Sequence, residues 1–367
     1  MSLEPTRPPV PPNAPLLEVT DLAVDFTTRT GSVRVVEEVS FTVDPGEIVG
    51  LVGESGSGKT VTMMSVMRLV PPPGRIATGR IMFGGQDVRS FDADRMRRFR
   101  GDEVALIPPD ATAALNPVVK VGDQVMEGVR SHRPGTSDAD AHRSAIEMFQ
   151  RVGLPRPELR FRRYPHELSG GMQQRILIAS ALQMSPRLIL ADEPTTALDV
   201  TIQAQILRLL LEVRDEFGTA ILFVTHDLAA VAEICDRVLV MYSGRVVETA
   251  PVHDLFAAPL HPYTRALMAS IPPLSADPPE RLQAVAGSPP EPGSWPTGCR
   301  FAPRCELRLR LDSPEICATI QPPLIQVRAN HQAACHFADT AVAAEAAAAL
   351  ADAVEAAEAT IVGEISA

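Results

Sequence analysis

An almost wholly apolar run ending in a glycine-rich loop constrains this chain more than any other feature. Residues 47–52 (EIVGLV) are too apolar for a strand with one wet face and fit a parallel strand buried on both. Residues 53–60 (GESGSGKT) follow at once and match the phosphate-cradling pattern G-x-x-x-x-G-K-[ST]. Residues 61–70 then read as an apolar helix, stopped by prolines at 71–73. In such a unit Gly53, Gly56 and Gly58, with Ser55 and Ser57 between them, let the backbone aim several N–H groups at phosphate oxygens. The following helix adds its positive end. Lys59 is expected against the β- and γ-phosphates of a nucleotide, and Thr60 is expected to offer its hydroxyl to Mg²⁺.

A second apolar run, residues 188–193 (LILADE), ends in two acids and is cut off by Pro194. Asp192 then stands at the carboxyl end of a strand, where it can hold Mg²⁺ opposite Thr60, and Glu193 can polarise a water as general base. Residues 16–26 and 39–43 read as further strands, with Gly31 and Ser32 as the turn between them, and residues 220–225 as another buried strand. Fully apolar strands alternating with loops and helices predict an α/β fold: a P-loop core with a parallel sheet, an antiparallel β subdomain and a helical insert at about residues 92–185. Few aromatics, 4% of the chain, leave this core to Val, Ile, Leu, Ala and Met. A formal net charge of −11 argues against nucleic acid as partner, because phosphate backbones need clustered Lys and Arg. No apolar run approaches the roughly eighteen residues that span a bilayer. That predicts a cytoplasmic protein, in which cysteines are seldom disulfides.

Residues 168–175 (LSGGMQQR) resemble the LSGGQ-type signature of ATP-binding cassette (ABC) proteins. The resemblance implies that Leu168, Ser169, Gly170, Gly171 and Gln173 serve the γ-phosphate of an ATP held by an opposing subunit, two cassettes pairing head to tail. On the same resemblance Asp199, in Ala197-Leu198-Asp199, belongs to a loop touching the opposing subunit. The resemblance likewise implies that His226, just after an apolar strand, is the switch histidine that contacts the γ-phosphate. Phe26 corresponds to the family's adenine-stacking aromatic, though a core role suits it equally. One position departs from the pattern: Pro109 stands where a glutamine normally reaches Mg²⁺ and the attacking water, and proline offers no such side chain. The resemblance therefore implies ATP binding here while leaving open whether this subunit hydrolyses ATP itself, and whether Gln124 replaces the missing contact.

The sequence His261-Pro-Tyr-Thr-Arg-Ala-Leu267, after Asp254-Leu-Phe256, resembles the tail of the oligopeptide/dipeptide importer ATPases, a branch that also contains nickel importers. That implies two transmembrane permease chains, a second and different ATPase chain, and indirectly an extracytoplasmic substrate-binding protein, all at the cytoplasmic face of the membrane. A translation factor or repair ATPase is the contrasting class; those carry paired cassettes or long coiled coils, and neither is present. Four cysteines, Cys299, Cys305, Cys317 and Cys335, spaced C-x5-C-x11-C-x17-C, resemble the set that carries a [4Fe–4S] cluster in the peptide importers. A structural Zn²⁺, with His331 or His336 as substitute ligands, and free thiols stay open beside it. Cys235 reads as a core residue. The expected organisation is a Pro-rich, disordered lead-in at 1–15, the nucleotide-binding domain at 16–258, an irregular cysteine-bearing extension at 259–340, and a low-complexity Ala/Glu tail at 341–367.

Overall fold

A computed structural model describes residues 14–29, 31–196, 198–270, 285 and 287–338. Residues 1–13 of the lead-in, Ala197, residues 271–284 of the extension and the Ala/Glu tail lie outside the described residues. Twelve strands are described: β1 (Leu17–Thr28), β2 (Gly31–Val43), β3 (Ile48–Val52), β4 (Gly74–Phe83), β5 (Gln86–Asp87), β6 (Val104–Ile107), β7 (Leu188–Asp192), β8 (Ala220–Thr225), β9 (Arg237–Tyr242), β10 (Arg245–Pro251), β11 (Ile325–Arg328) and β12 (His331–Ala333).

Eight of them form one sheet in the order β11-β12-β10-β9-β3-β8-β7-β6, and four form a second, β2-β1-β4-β5. The run β9-β3-β8-β7-β6 is parallel throughout. Its strands are buried on both faces, so their alternating side chains feed two separate cores. Ile48, Val52, Ile189, Ala191, Ile221 and Phe223 face a helical layer that includes helices Val121–His132, Gly170–Leu182 and Val200–Phe217. Val49, Leu51, Leu188, Leu190, Leu222 and Val224 face the four-stranded antiparallel sheet and helix Lys59–Val66. The α/β architecture is thus a three-layered one, with the phosphate loop rising from the carboxyl end of its central strand.

Three local expectations are corrected. Gly31 and Ser32 do not form the turn; they open β2, paired with Thr28 and Thr27 of β1. The expected helical insert at 92–185 contains β6, a fully paired strand of the main sheet. Its four residues, VALI, are too few for apolar periodicity to distinguish from helix. Finally, the segment after Pro259 does not stand apart as an irregular unit. β12 pairs antiparallel with β10 (Glu248↔Ala333), β11 adds to it, and Tyr263 and Phe301 enter the helix-side core.

Glu248 explains how that segment is fastened. Its fully buried carboxylate accepts the main-chain N–H groups of Leu260 (2.6 Å) and His261 (2.9 Å) and lies 2.7 Å from His331 Nε2. A buried carboxylate without such partners would be costly; here the satisfied network locks residues 260, 261 and 331 to one point on β10. His331 is engaged in this pair and does not line the pocket that holds the four cysteines.

Candidate nucleotide site and cysteine pocket

The loop between β3 and its helix is shaped by contacts that only glycine tolerates at its first position. A Cβ on Gly53, at φ +150°, would lie 2.1 Å from the Met241 carbonyl oxygen. Lys59, only 6% exposed, folds back and donates from Nζ to the carbonyls of Gly53 (2.8 Å) and Glu54 (3.0 Å). Burial lowers its pKa, and Glu193, Asp192 and Glu54 oppose that by their charge. The hydroxyl of Ser57 is buried without a partner in the same loop, an orphan that a phosphate oxygen would satisfy.

β7 and β8 deliver the opposing wall. Thr60 Oγ1 donates to Asp192 Oδ1 at 3.2 Å, so the two expected Mg²⁺ ligands face each other. Burial raises the Asp192 pKa above the ordinary carboxylate value, which a cation beside it would reverse. Glu193 behaves oppositely. Burial works against its ionisation, but hydrogen bonds from His226 and Thr196 outweigh it and hold the carboxyl below its usual range. His226 Nδ1 lies 3.1 Å from Glu193 Oε1, and the Thr196 hydroxyl donates to Oε2 at 2.9 Å. Lys59, Thr60, Asp192, Glu193 and His226, drawn from three separate stretches, converge on one cleft. Its donor set suits a polyphosphate and a divalent cation.

The other predicted residues lie elsewhere. Ser169 is the N-cap of helix Gly170–Leu182 yet makes no side-chain capping bond, and it is exposed. Gly171 is required by packing, since a Cβ there would meet Ile202 Cγ2 at 2.8 Å. Gln173 is buried; its amide donates to the carbonyls of Pro165 and Leu168 and accepts from Thr112. Leu168 is buried in the helix-side core. Asp199 caps helix Val200–Phe217 by accepting from Ile202 N at 2.9 Å. Phe26 is partly buried against the sheet-side core, its ring beside Gly74. Pro109 is exposed. Gln124 does not replace its missing side chain, because that amide is engaged with the main chain of Asn116 and Val119.

Comparison with known proteins decides the family. The ABC transporter profile matches residues 36–196, and the profile of the oligopeptide/dipeptide transporter C-terminal region matches residues 247–310. The oligopeptide transport ATP-binding protein OppD of Bacillus subtilis is 45% identical over 317 residues, covering 86% of this chain and 87% of OppD. The chain belongs to the ABC transporter family. Within it, a putative peptide import ATP-binding protein of Brucella abortus is 47% identical over 292 residues, 80% of this chain and 87% of that protein. The fold of this ABC subunit matches the ATP-binding cassette MJ0796, solved as a dimer bound to ADP and Pi. The TM-score is 0.59 at 25% identity, over 64% of this chain and 98% of that one.

The extension of this ABC subunit brings Cys299, Cys305, Cys317 and Cys335 to the wall of one small pocket, with Pro262, Ala302, Leu307, Phe337 and His336 around them. Burial pushes the Cys299 thiol up to about 11 and the Cys335 thiol up to about 12, and raises Cys305 and Cys317 as well. Thiols shifted this way stay protonated near neutrality unless a metal takes the proton's place. Among the described residues no group of three or more His, Cys, Asp or Glu could hold a metal ion. Cys235 is a buried core residue against Gly50, as expected. No described helix is long and apolar enough to cross a membrane.

Sequence reasoning missed Glu54, Arg300 and Arg304. Arg304 donates to both carboxylate oxygens of Glu54, at 2.7 and 2.9 Å, from 250 residues away. No local pattern announces such a pair.

Proposed function

We propose that this chain binds Mg·ATP in the cleft formed by residues 53–60, 192–193 and 226, and couples its hydrolysis to peptide import through membrane-spanning chains. The observation that carries this is the convergence of Lys59, Thr60, Asp192, Glu193 and His226 in a chain so similar to OppD. Lys59 faces the β- and γ-phosphates, and Thr60 and Asp192 would hold Mg²⁺, which when bound would offset negative charge on the phosphate oxygens. Glu193, kept ionised, orients a water and takes its proton as the oxygen attacks the γ-phosphorus, the bond from that phosphorus to the bridging β-phosphate oxygen breaks and ADP leaves with phosphate as the other product; His226 holds Glu193 in place. Ser169 and the glycines after it face the ATP of a second cassette, which agrees with an exposed, uncapped helix start. The helical insert, including residues 108–117 beside Val118, which is 77% exposed, forms the surface on which permease chains dock at the cytoplasmic face.

The test is ATP turnover of the assembled transporter in vesicles, with its binding protein loaded with a di- or oligopeptide. We expect several-fold stimulation by peptide. Stimulation by Ni²⁺ alone would transfer the cargo assignment to metal. Pro109 favours a second version, in which this subunit binds ATP while its partner chain does most of the hydrolysis.

The [4Fe–4S] reading rests on the C-x5-C-x11-C-x17-C spacing and on the four cysteines lining one pocket, with zinc as the alternative; their arrangement as described is not itself a metal site. When bound, such a group supplies cross-links between residues 299–305, 317 and 335. Anaerobically purified full-length protein is expected to contain iron and acid-labile sulfide in roughly 4:4 ratio per chain, lost in Cys317→Ser. One zinc and no iron would reverse the assignment.

A further inference from the structure

The phosphate loop is gripped from outside the cassette core. Glu54, its second residue, is held on three sides. Its main-chain N–H donates to Tyr263 Oη at 2.7 Å, its carboxylate takes both arms of Arg304, and its carbonyl accepts Lys59 Nζ. Arg304 is almost fully buried, only 4% of its side chain being exposed, and also reaches Tyr242 Oη and the carbonyls of Val285 and Gly287. Tyr263, Tyr242 and Phe301 pack ring to ring beneath it, with centroids 4.6–5.5 Å apart. A second connection runs in parallel. Arg300 donates to the Ser243 carbonyl, lies over the Trp295 ring and pairs with Glu37, while Gly244 N–H donates to the Ser57 carbonyl at 2.9 Å. Both arginines sit in the seven-residue loop from Cys299 to Cys305. The loop that carries two cysteines thereby holds the phosphate loop directly at Glu54 and, through Ser243 and Gly244, indirectly at Ser57.

We propose that Arg304 is a positioning residue for ATP: by holding Glu54 it sets the phosphate-loop geometry, so that ATP affinity depends on how the loop 299–305 is seated. The proposal rests on the reading that residues 53–60 bind ATP. A bidentate Arg–carboxylate pair fixes direction as well as distance, which a lysine's single charge does not. Glu54 transmits the restraint directly, because its carbonyl is a partner of the catalytic-site lysine. Coupling of this kind is reciprocal: if the loop sets ATP affinity, bound ATP must steady the loop.

The experiment measures ATP Kd on the full-length chain, and KM and kcat for ATP on the assembled transporter, for Arg304→Ala, Arg304→Lys, Glu54→Ala and the Arg304→Ala/Glu54→Ala pair. Lys59→Ala serves as control. Arg304→Ala is expected to raise Kd and KM about tenfold, with a smaller fall in kcat, and Arg304→Lys to fall between it and the native chain. The double variant should be no weaker than the worse single one, since both remove the same link. Saturating ATP should also slow amide hydrogen exchange across residues 299–305 in the native chain, and not in Arg304→Ala. Unchanged ATP affinity in Arg304→Ala, with lower thermal stability alone, would overturn the proposal, as would strictly additive effects in the double variant. Normal ATP binding by Lys59→Ala would instead remove the site reading on which it rests.

Discussion

Lys59→Ala is expected to weaken ATP binding at least a hundredfold, about 2.7 kcal/mol. The cleft holds the carboxylates of Glu193 and Asp192, and Lys59 is the cation whose charge they stabilise. Without it a polyphosphate would meet carboxylates with only main-chain N–H groups and its own Mg²⁺ to offset the repulsion. The fold should tolerate the change, because the ammonium's two partners are carbonyls of the loop itself, and these can turn to water. Calorimetric titration of the full-length variant, beside a melting curve, separates the effects. Binding within about threefold of the native value, with intact folding, would place the nucleotide elsewhere.

Glu193→Gln should lower ATP turnover of the assembled transporter by roughly a hundredfold or more while leaving ATP bound, the range expected when a general base is removed. Glutamine keeps the shape and can still meet His226 and Thr196, so the change isolates proton acceptance. It also suits the backbone, since Glu193 sits at φ 45° and a glutamine there is no more strained than glutamate. The measurement is steady-state phosphate release with the substitution in this chain alone. Survival of more than half the turnover would assign hydrolysis to the partner chain and leave this subunit an ATP-dependent clamp. In that event Pro109 is the reason, since Gln124 is engaged elsewhere.

Much of this site was legible before any coordinates. The phosphate loop, the two acids after β7 and the histidine after β8 are each carried by short apolar strands whose period and termination appear in the sequence. What joins them is topology, and a P-loop in direct sequence with its strand and helix narrows that topology strongly. The tail was harder. Its cysteines were visible as a set, but β11 and β12 are short, one of them mostly exposed, and proline-rich surroundings masked them. The Glu248–His331 pair spans 83 residues and Arg304–Glu54 spans 250. Pairs so distant leave no periodicity, and His331 accordingly read as a spare ligand when it is a structural partner of a buried acid. β6 failed for a different reason: four apolar residues carry too little pattern to tell strand from helix.

The antiparallel end of the main sheet also has a history within each molecule's synthesis. A growing chain makes β10 some eighty residues before β12 can close over it, and at ~5–20 residues per second that interval is roughly 4–16 s. Throughout it, the outer N–H and C=O groups of a largely buried strand are open to any other strand nearby, the situation from which misassembly between nascent chains begins. Glu248 waits through the same interval as a carboxylate without its imidazole. Translation order therefore makes the arrival of residues 331–333 the step that ends this exposure, and whatever slows the ribosome between the two strands lengthens the window in which the sheet is vulnerable.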